Sequence, residues 1–175
     1  MSRTPNKFGG GAQTNINGLK FEQTTSLDEA LITAGFFVEN YKIYNRAGDC
    51  IGMSVPKKKL YKNFLEPQGV DYKKINSKPW EPDECFINFL NRTAYVIEKK
   101  FQNVPGSVDE KLPGCGFKKW EYEKLFAPLE YKVEFIYVFN DWFKQDSYRD
   151  VKEYIRRVGC HYFFNEVPLD FLQII

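Results

Sequence analysis

The stretch that most constrains this chain is Pro82–Gln102, PDECFINFLNRTAYVIEKKFQ. Aromatic and β-branched residues dominate two short runs, Cys85–Leu90 and Thr93–Phe101, with the polar pair Asn91-Arg92 between them. Such side chains pack well on a pleated, half-buried surface, so both runs are predicted to be strands. A tight turn centred on residues 91 and 92 makes an antiparallel hairpin in which opposed residue numbers sum to 183. Asp83 then faces Lys100, and Cys85 faces Glu98. Opposed residues share a face, and so do alternate residues along one strand. Asp83, Glu98, Lys100 and Gln102 are therefore expected on one side, at the open end of the hairpin.

Two carboxylates and an ammonium converging there suit a hard divalent cation. Magnesium takes oxygen ligands from one or two carboxylates and keeps water for the rest of its octahedron. The plain alternative is a cross-strand salt bridge, Asp83–Lys100, on a solvated sheet end.

The spacing has a second reading. Pro82-Asp83 followed by Glu98-Lys99-Lys100 resembles the PD-(D/E)XK nuclease superfamily, which includes many type II restriction endonucleases. GGGAQTNINGLKFE (Gly9–Glu22) is similar to the amino-terminal signature of one restriction-enzyme branch. EKKFQNVPGSVDEKL (Glu98–Leu112) is similar to its catalytic strand and following helix. The chain departs from the branch's pattern at Pro113-Gly114. The resemblance implies an α/β fold, a central mixed β-sheet flanked by helices. It also implies magnesium, replaceable by manganese, on Asp83, Glu98 and the carbonyl of Lys99. It places Glu22 on a first helix beside the metal, where the alternative is an ordinary surface glutamate.

Bulk properties set the limits. The chain has 175 residues and is read as a single domain, with 43% hydrophobic and 27% charged residues, as in an ordinary globular protein. A net charge of +2 is too small to demand a polyanionic partner. The basic residues are nonetheless clustered at Lys57-Lys58-Lys59, Lys73-Lys74, Lys118-Lys119 and Arg156-Arg157. Each cluster reads either as a solvated face or as a phosphate clamp. The four cysteines (Cys50, Cys85, Cys115, Cys160) form no CxxC pair, which removes zinc ribbons and disulfide frameworks and suits a reduced, intracellular protein. No apolar run approaches a membrane span, and no signal-peptide core stands near the start, so no membrane partner is expected. His161 is the only histidine, which excludes histidine-cluster metal sites; a packed or surface role is expected for it.

In chain order, Met1–Gly11 reads as a flexible arm, and its triple glycine lacks the GKS or GKT of a phosphate loop. Asn17 is a candidate cap for a helix through Leu19, Phe21 and Glu22. Ser26 and Glu29 form a capping box ahead of Leu27, Ala30, Leu31 and Ala34, with Gly35 as the stop. Residues 36–65 read as strands, including KLYKNFL, and 67–79 as a loop. A further capping box, Ser107 and Glu110, predicts a helix from Val108 that breaks at Pro113-Gly114 and resumes over Phe117–Phe126 with Trp120 inward. Tyr131–Asn140 reads as a central strand. Asp146–Val158 reads as an amphipathic helix with Val151, Tyr154, Ile155 and Val158 inward, and His161–Val167 as a last strand before an apolar tail.

The expected function is a metal-dependent endonuclease that cuts double-stranded DNA at a specific sequence, as a homodimer because a symmetric cut needs two sites. Lys100 is expected to stabilise charge and orient water, Glu22 to hold a water at the metal, and Gln102 to hydrogen-bond a phosphate or water. The alternatives are a junction-resolving or repair nuclease and a catalytically silent DNA-binding module.

Overall fold

The structure is a computed structural model that describes residues 16–174; the glycine run and the expected amino-terminal arm lie outside them. In chain order the elements are β1 (Gly18–Lys20), α1 (Leu27–Thr33), β2 (Phe37–Glu39), β3 (Lys42–Tyr44), β4 (Cys50–Ser54), β5 (Glu84–Asn88) and β6 (Thr93–Lys100). Then follow α2 (Cys115–Phe126), β7 (Lys132–Phe139), α3 (Arg149–Arg157), β8 (His161–Phe164), β9 (Glu166–Pro168) and α4 (Leu169–Leu172). Strands β2 to β8 form one seven-stranded sheet in sequence order, and β1 pairs with β9 separately. Neighbours from β2 to β6 run antiparallel, while β6, β7 and β8 run parallel. A parallel step needs a crossover, and α2 and α3 supply the two required. The fold is α/β, with a central mixed sheet flanked by helices.

Strand alternation splits the core into two layers. Ala94 and Val96 of β6 turn toward Tyr122, Leu125 and Phe126 of α2, Ile155 of α3 and the π-helical turn Leu60–Leu65. Tyr95 and Ile97 turn the other way, onto Leu27 and Leu31 of α1, Leu19 of β1 and Leu172 of α4. The capping box at Ser26 and Glu29 is formed in both directions, and Leu27, Ala30, Leu31 and Ala34 are buried as their spacing requires. Gly35 follows at φ +95°, a left-handed position that ends the helix cheaply only with glycine.

Several local expectations are corrected. Residues 18–20 form a strand, not a helix capped by Asn17. Leu19 and Phe21 are buried while Lys20 is exposed, and the backbone is satisfied by β9, with Phe21 N–H donating to the Asn165 carbonyl at 2.8 Å. KLYKNFL is helical because Leu60, Tyr61, Phe64 and Leu65 bury one face together. The Ser107–Glu110 box does not form. A 3-10 turn runs over Asp109–Gly114 without a side-chain cap, and Asp109 instead accepts from the Tyr148 hydroxyl at 3.0 Å. Trp120 and Tyr154 face outward, since Cys115, Tyr122, Leu125 and Phe126 already fill the inner side of α2 and Ile155 that of α3. Strand β7 is interior but lies next to the edge strand β8, not at the centre. The last predicted strand breaks at Asn165, whose φ of 60° turns the chain from the large sheet to β1.

Candidate active site

The hairpin has the predicted strands in a different register. Glu84 pairs with Ile97, Cys85 with Val96 and Asn88 with Thr93, so opposed numbers sum to 181. The turn is four residues long, from 89 to 92, and Asn88 sets its length. The buried Asn88 amide accepts from Leu90 N–H at 2.8 Å and donates to the Leu172 carbonyl at 2.8 Å. Arg92 takes a left-handed φ of 50°, with its guanidinium over the Tyr131 ring at 4.5 Å. A shift of two residues preserves every face, whereas a slip of one would have reversed them. Continued by one step, the register sets Asp83 opposite Glu98. The expected facings of Asp83 with Lys100 and of Cys85 with Glu98 are corrected.

At this open end Asp83 Oδ2 accepts the Lys99 backbone N–H at 2.9 Å, and Asp83 Oδ1 lies 3.5 Å from Lys57 Nζ. Lys57 is held there by its own N–H, which donates to the Pro82 carbonyl at 2.8 Å. Glu98 Oε2 lies 3.7 Å from Lys100 Nζ. Lys100 thus pairs with Glu98 while Asp83 pairs with Lys57; Lys100 does not sit between the two carboxylates as expected. Burial pushes the Glu98 carboxyl above its usual range, and the nearby Asp83 charge pushes it further, while Lys118, Lys100 and Lys57 pull the other way. Behind Glu98 stand Tyr122 and Tyr137, both fully buried and with hydroxyls pushed far up by burial; the Tyr137 hydroxyl donates to the Leu112 carbonyl at 3.1 Å. Glu98 is thus a buried carboxyl on which burial and the neighbouring Asp83 charge act against the surrounding lysines.

The next residue along the strand does a different job. Lys99 sends its side chain to the opposite face, where Nζ donates to the Thr25 carbonyl at 2.7 Å and lies 3.6 Å from Glu84 Oε1. Glu84 is also pushed above its usual range by burial, with the Lys99 charge opposing the shift. This pair straps β6 and β5 to the start of α1. The N–H and C=O of one strand residue leave by the same edge. Because Lys99 N–H points at Asp83, its carbonyl faces the Asp83 edge as well.

Two predicted site residues are placed less favourably. Glu22 lies in the exposed turn before α1, not on a helix, and its N–H donates to Thr25 Oγ1 at 3.1 Å. Among the described residues its carboxylate forms no ion pair or hydrogen bond with Asp83, Glu98 or Lys100. Gln102 is fixed by Asn140, which accepts its N–H at 3.2 Å and donates to its carbonyl at 2.7 Å. Its side-chain Nε2 is engaged by Asp109 at 3.4 Å, leaving Oε1 buried without a partner. That oxygen can accept from a water, and the second N–H of Nε2 remains a donor.

The donor set is oxygen only: two carboxylates and a strand carbonyl. No group of three or more His, Cys, Asp or Glu side chains able to hold a metal occurs among the described residues. The set fits magnesium, which binds through one or two carboxylates and retains water, and does not fit zinc. Comparison with protein-family models, curated proteins and solved structures finds no match. The site therefore rests on its own geometry.

That geometry adds Lys57 and Lys118, which the sequence showed only as members of basic clusters. No local signal separates them from Lys58 or Lys119. Only the return of the 55–60 loop and of α2 to the open end of β5 and β6 selects them. His161 has a structural place on β8, with Nε2 2.7 Å from Glu134 Oε2. No described helix is long and apolar enough to cross a membrane.

Proposed function

We propose that the chain is a metal-dependent endonuclease of double-stranded DNA, of the type II restriction kind within the PD-(D/E)XK superfamily, acting in the cell as a homodimer. The observation that carries this reading is Asp83 opposite Glu98 at the open end of β5 and β6, with Lys100 3.7 Å from Glu98. Two carboxylates there face three lysines, Lys57, Lys100 and Lys118. A cation site alone has no use for so many ammonium groups; a cation together with a phosphodiester does.

Magnesium would be held by Asp83, Glu98 and the Lys99 carbonyl, and when bound it supplies Lewis-acid polarisation of a phosphate and a more acidic water. Lys100 places a fixed positive charge where negative charge grows on the phosphorus oxygens during attack. Lys57 and Lys118 flank the carboxylates and can hold phosphates of the same strand. Tyr122, Tyr137 and the apolar layer behind them exclude water from the rear of Glu98, which strengthens each of these attractions. Lys99 holds the strand to α1, so that Asp83 and Glu98 keep their separation.

The test is incubation of supercoiled, linear and branched DNA with the full chain and magnesium. Discrete fragments from linear DNA support the restriction reading. Cutting confined to branches replaces it with junction resolution, and binding without cutting replaces it with a silent DNA-binding module.

A further inference from the structure

The outward placement of Trp120 has a partner in the loop that enters the site. Phe117 and Trp120 stand one turn apart on α2, each 52% exposed, with ring centroids 5.8 Å apart. Trp80, three residues before Asp83, packs edge-on against Phe117 at 6.1 Å. Exposed aromatic rings in contact normally seek burial, and Phe117 and Trp120, backed by the half-buried Trp80 whose ring also packs on the core, leave an unsatisfied surface. Two lysines decorate it: Lys118 Nζ lies 5.7 Å from the Trp80 ring centre and Lys124 Nζ 4.2 Å from that of Trp120. Trp80 lies three residues before Asp83, and the Lys118 charge is near enough to lower the Glu98 pKa, so the rings adjoin the carboxylate pair.

We propose that Trp80, Phe117 and Trp120 form a stacking platform for unpaired bases of a DNA strand lying beside the Asp83–Glu98 site. The proposal rests on the reading of that site as a DNA nuclease and names the form of DNA it engages. Aromatic faces interleaved with ammonium groups match the alternation of base and phosphate along a single strand. Paired bases hide their faces within the duplex stack, so rings of this kind meet bases only at an end, a branch or a flipped nucleotide. A two-fold contact between copies fits worse, because it would bring a second Lys118 and Lys124 to the same patch and concentrate like charge there.

The test uses the full chain in EDTA, with a fluorescein-labelled twelve-nucleotide thymidine strand and an abasic strand of equal length as probes, read by anisotropy. Stacking is worth roughly 5- to 150-fold per base, so the thymidine strand should bind at least about tenfold more tightly. Phe117→Ala with Trp120→Ala should erase that preference and leave abasic binding unchanged, while Trp120→Phe should retain most of it; thermal melts confirm that each variant is folded. Equal binding of both strands by the parent protein overturns the platform in favour of lysine–phosphate contact alone. Binding of neither strand by a protein that cuts duplex DNA in magnesium overturns the platform and leaves the nuclease reading standing. A base preference that the double variant erases, in a protein that cuts no DNA, supports the platform and overturns the nuclease reading. A dimer that the double variant dissociates without changing thymidine binding assigns the rings to self-association and overturns the proposal.

Discussion

Lys99 and Lys100 are chemically identical neighbours with opposite surroundings, so Lys→Met at each position separates catalysis from stability. Lys99 Nζ pairs with Glu84 at 3.6 Å, with side chains only 14% and 7% exposed, and also donates to the Thr25 carbonyl. At that distance and an effective dielectric of about 20 the gross attraction is about 4–5 kcal/mol. Removing one partner of a buried pair costs about 3–5 kcal/mol. Glu84 already holds its proton more tightly than usual and can neutralise itself, which favours the lower end, about 3 kcal/mol. For a domain of this size that lowers Tm by about 6–12 °C. Lys100→Met removes an ion pair at the rim of the site, and Lys57 and Lys118 still face the carboxylates, so the loss is about 1 kcal/mol, or about 2–4 °C. Cleavage should respond in the opposite order. Lys100→Met should lose about 10²–10³-fold in kcat if its charge is preorganised for the transition state, while Lys99→Met keeps most of its activity below its own melting temperature. Cleavage rates on plasmid DNA and differential scanning fluorimetry on the same preparations decide the matter. A folded but inactive Lys99→Met, or two variants alike in both rate and Tm, refutes the assignment of faces.

DNA cleavage should require magnesium or manganese and stop in EDTA; undiminished cutting in excess chelator would remove the metal from the site. Binding to duplex DNA should weaken with salt at about −0.9 in log K per phosphate, with a slope worth about four or more contacts, and a flat dependence would return the lysine clusters to ordinary solvated faces. Glu98→Gln should abolish cleavage yet raise the metal-free Tm at pH 8, because the native state favours the protonated carboxyl; the stability this group contributes is complete below its ordinary pKa of 4.5 and is lost as pH rises through its raised folded value. A lower Tm in that variant would mean that the lysines outweigh burial. Glu134 behaves oppositely, since the hydrogen bond to His161 holds its carboxyl below the ordinary 4.5, so its contribution is present above that value and is lost as pH falls through the lowered one. The urea midpoint of the parent protein should exceed that of Glu134→Gln at pH 7 and converge with it as pH falls through that lowered value; a constant gap would discount the pair.

Local pattern carried a good part of this protein. Strands rich in branched and aromatic residues, the Ser26–Glu29 capping box and the period of two through Thr93–Lys100 are properties of neighbouring residues, and they were legible without tertiary structure. Period two also separated Lys99 from Lys100 and gathered Glu98 with Asp83, because side-chain parity survives a register shift of two. What the chain could not declare locally was anything settled by a distant partner. The turn length depends on Asn88 reaching the Leu172 carbonyl, and the strand at Gly18–Lys20 on β9 arriving beside it. Lys57 and Lys118 joined the site, Trp120 turned outward and Glu22 stood apart for the same reason. Backbone hydrogen bonds and buried faces are satisfied by whichever segment is nearest in space, and that segment is chosen by the packing of the whole sheet and its two layers.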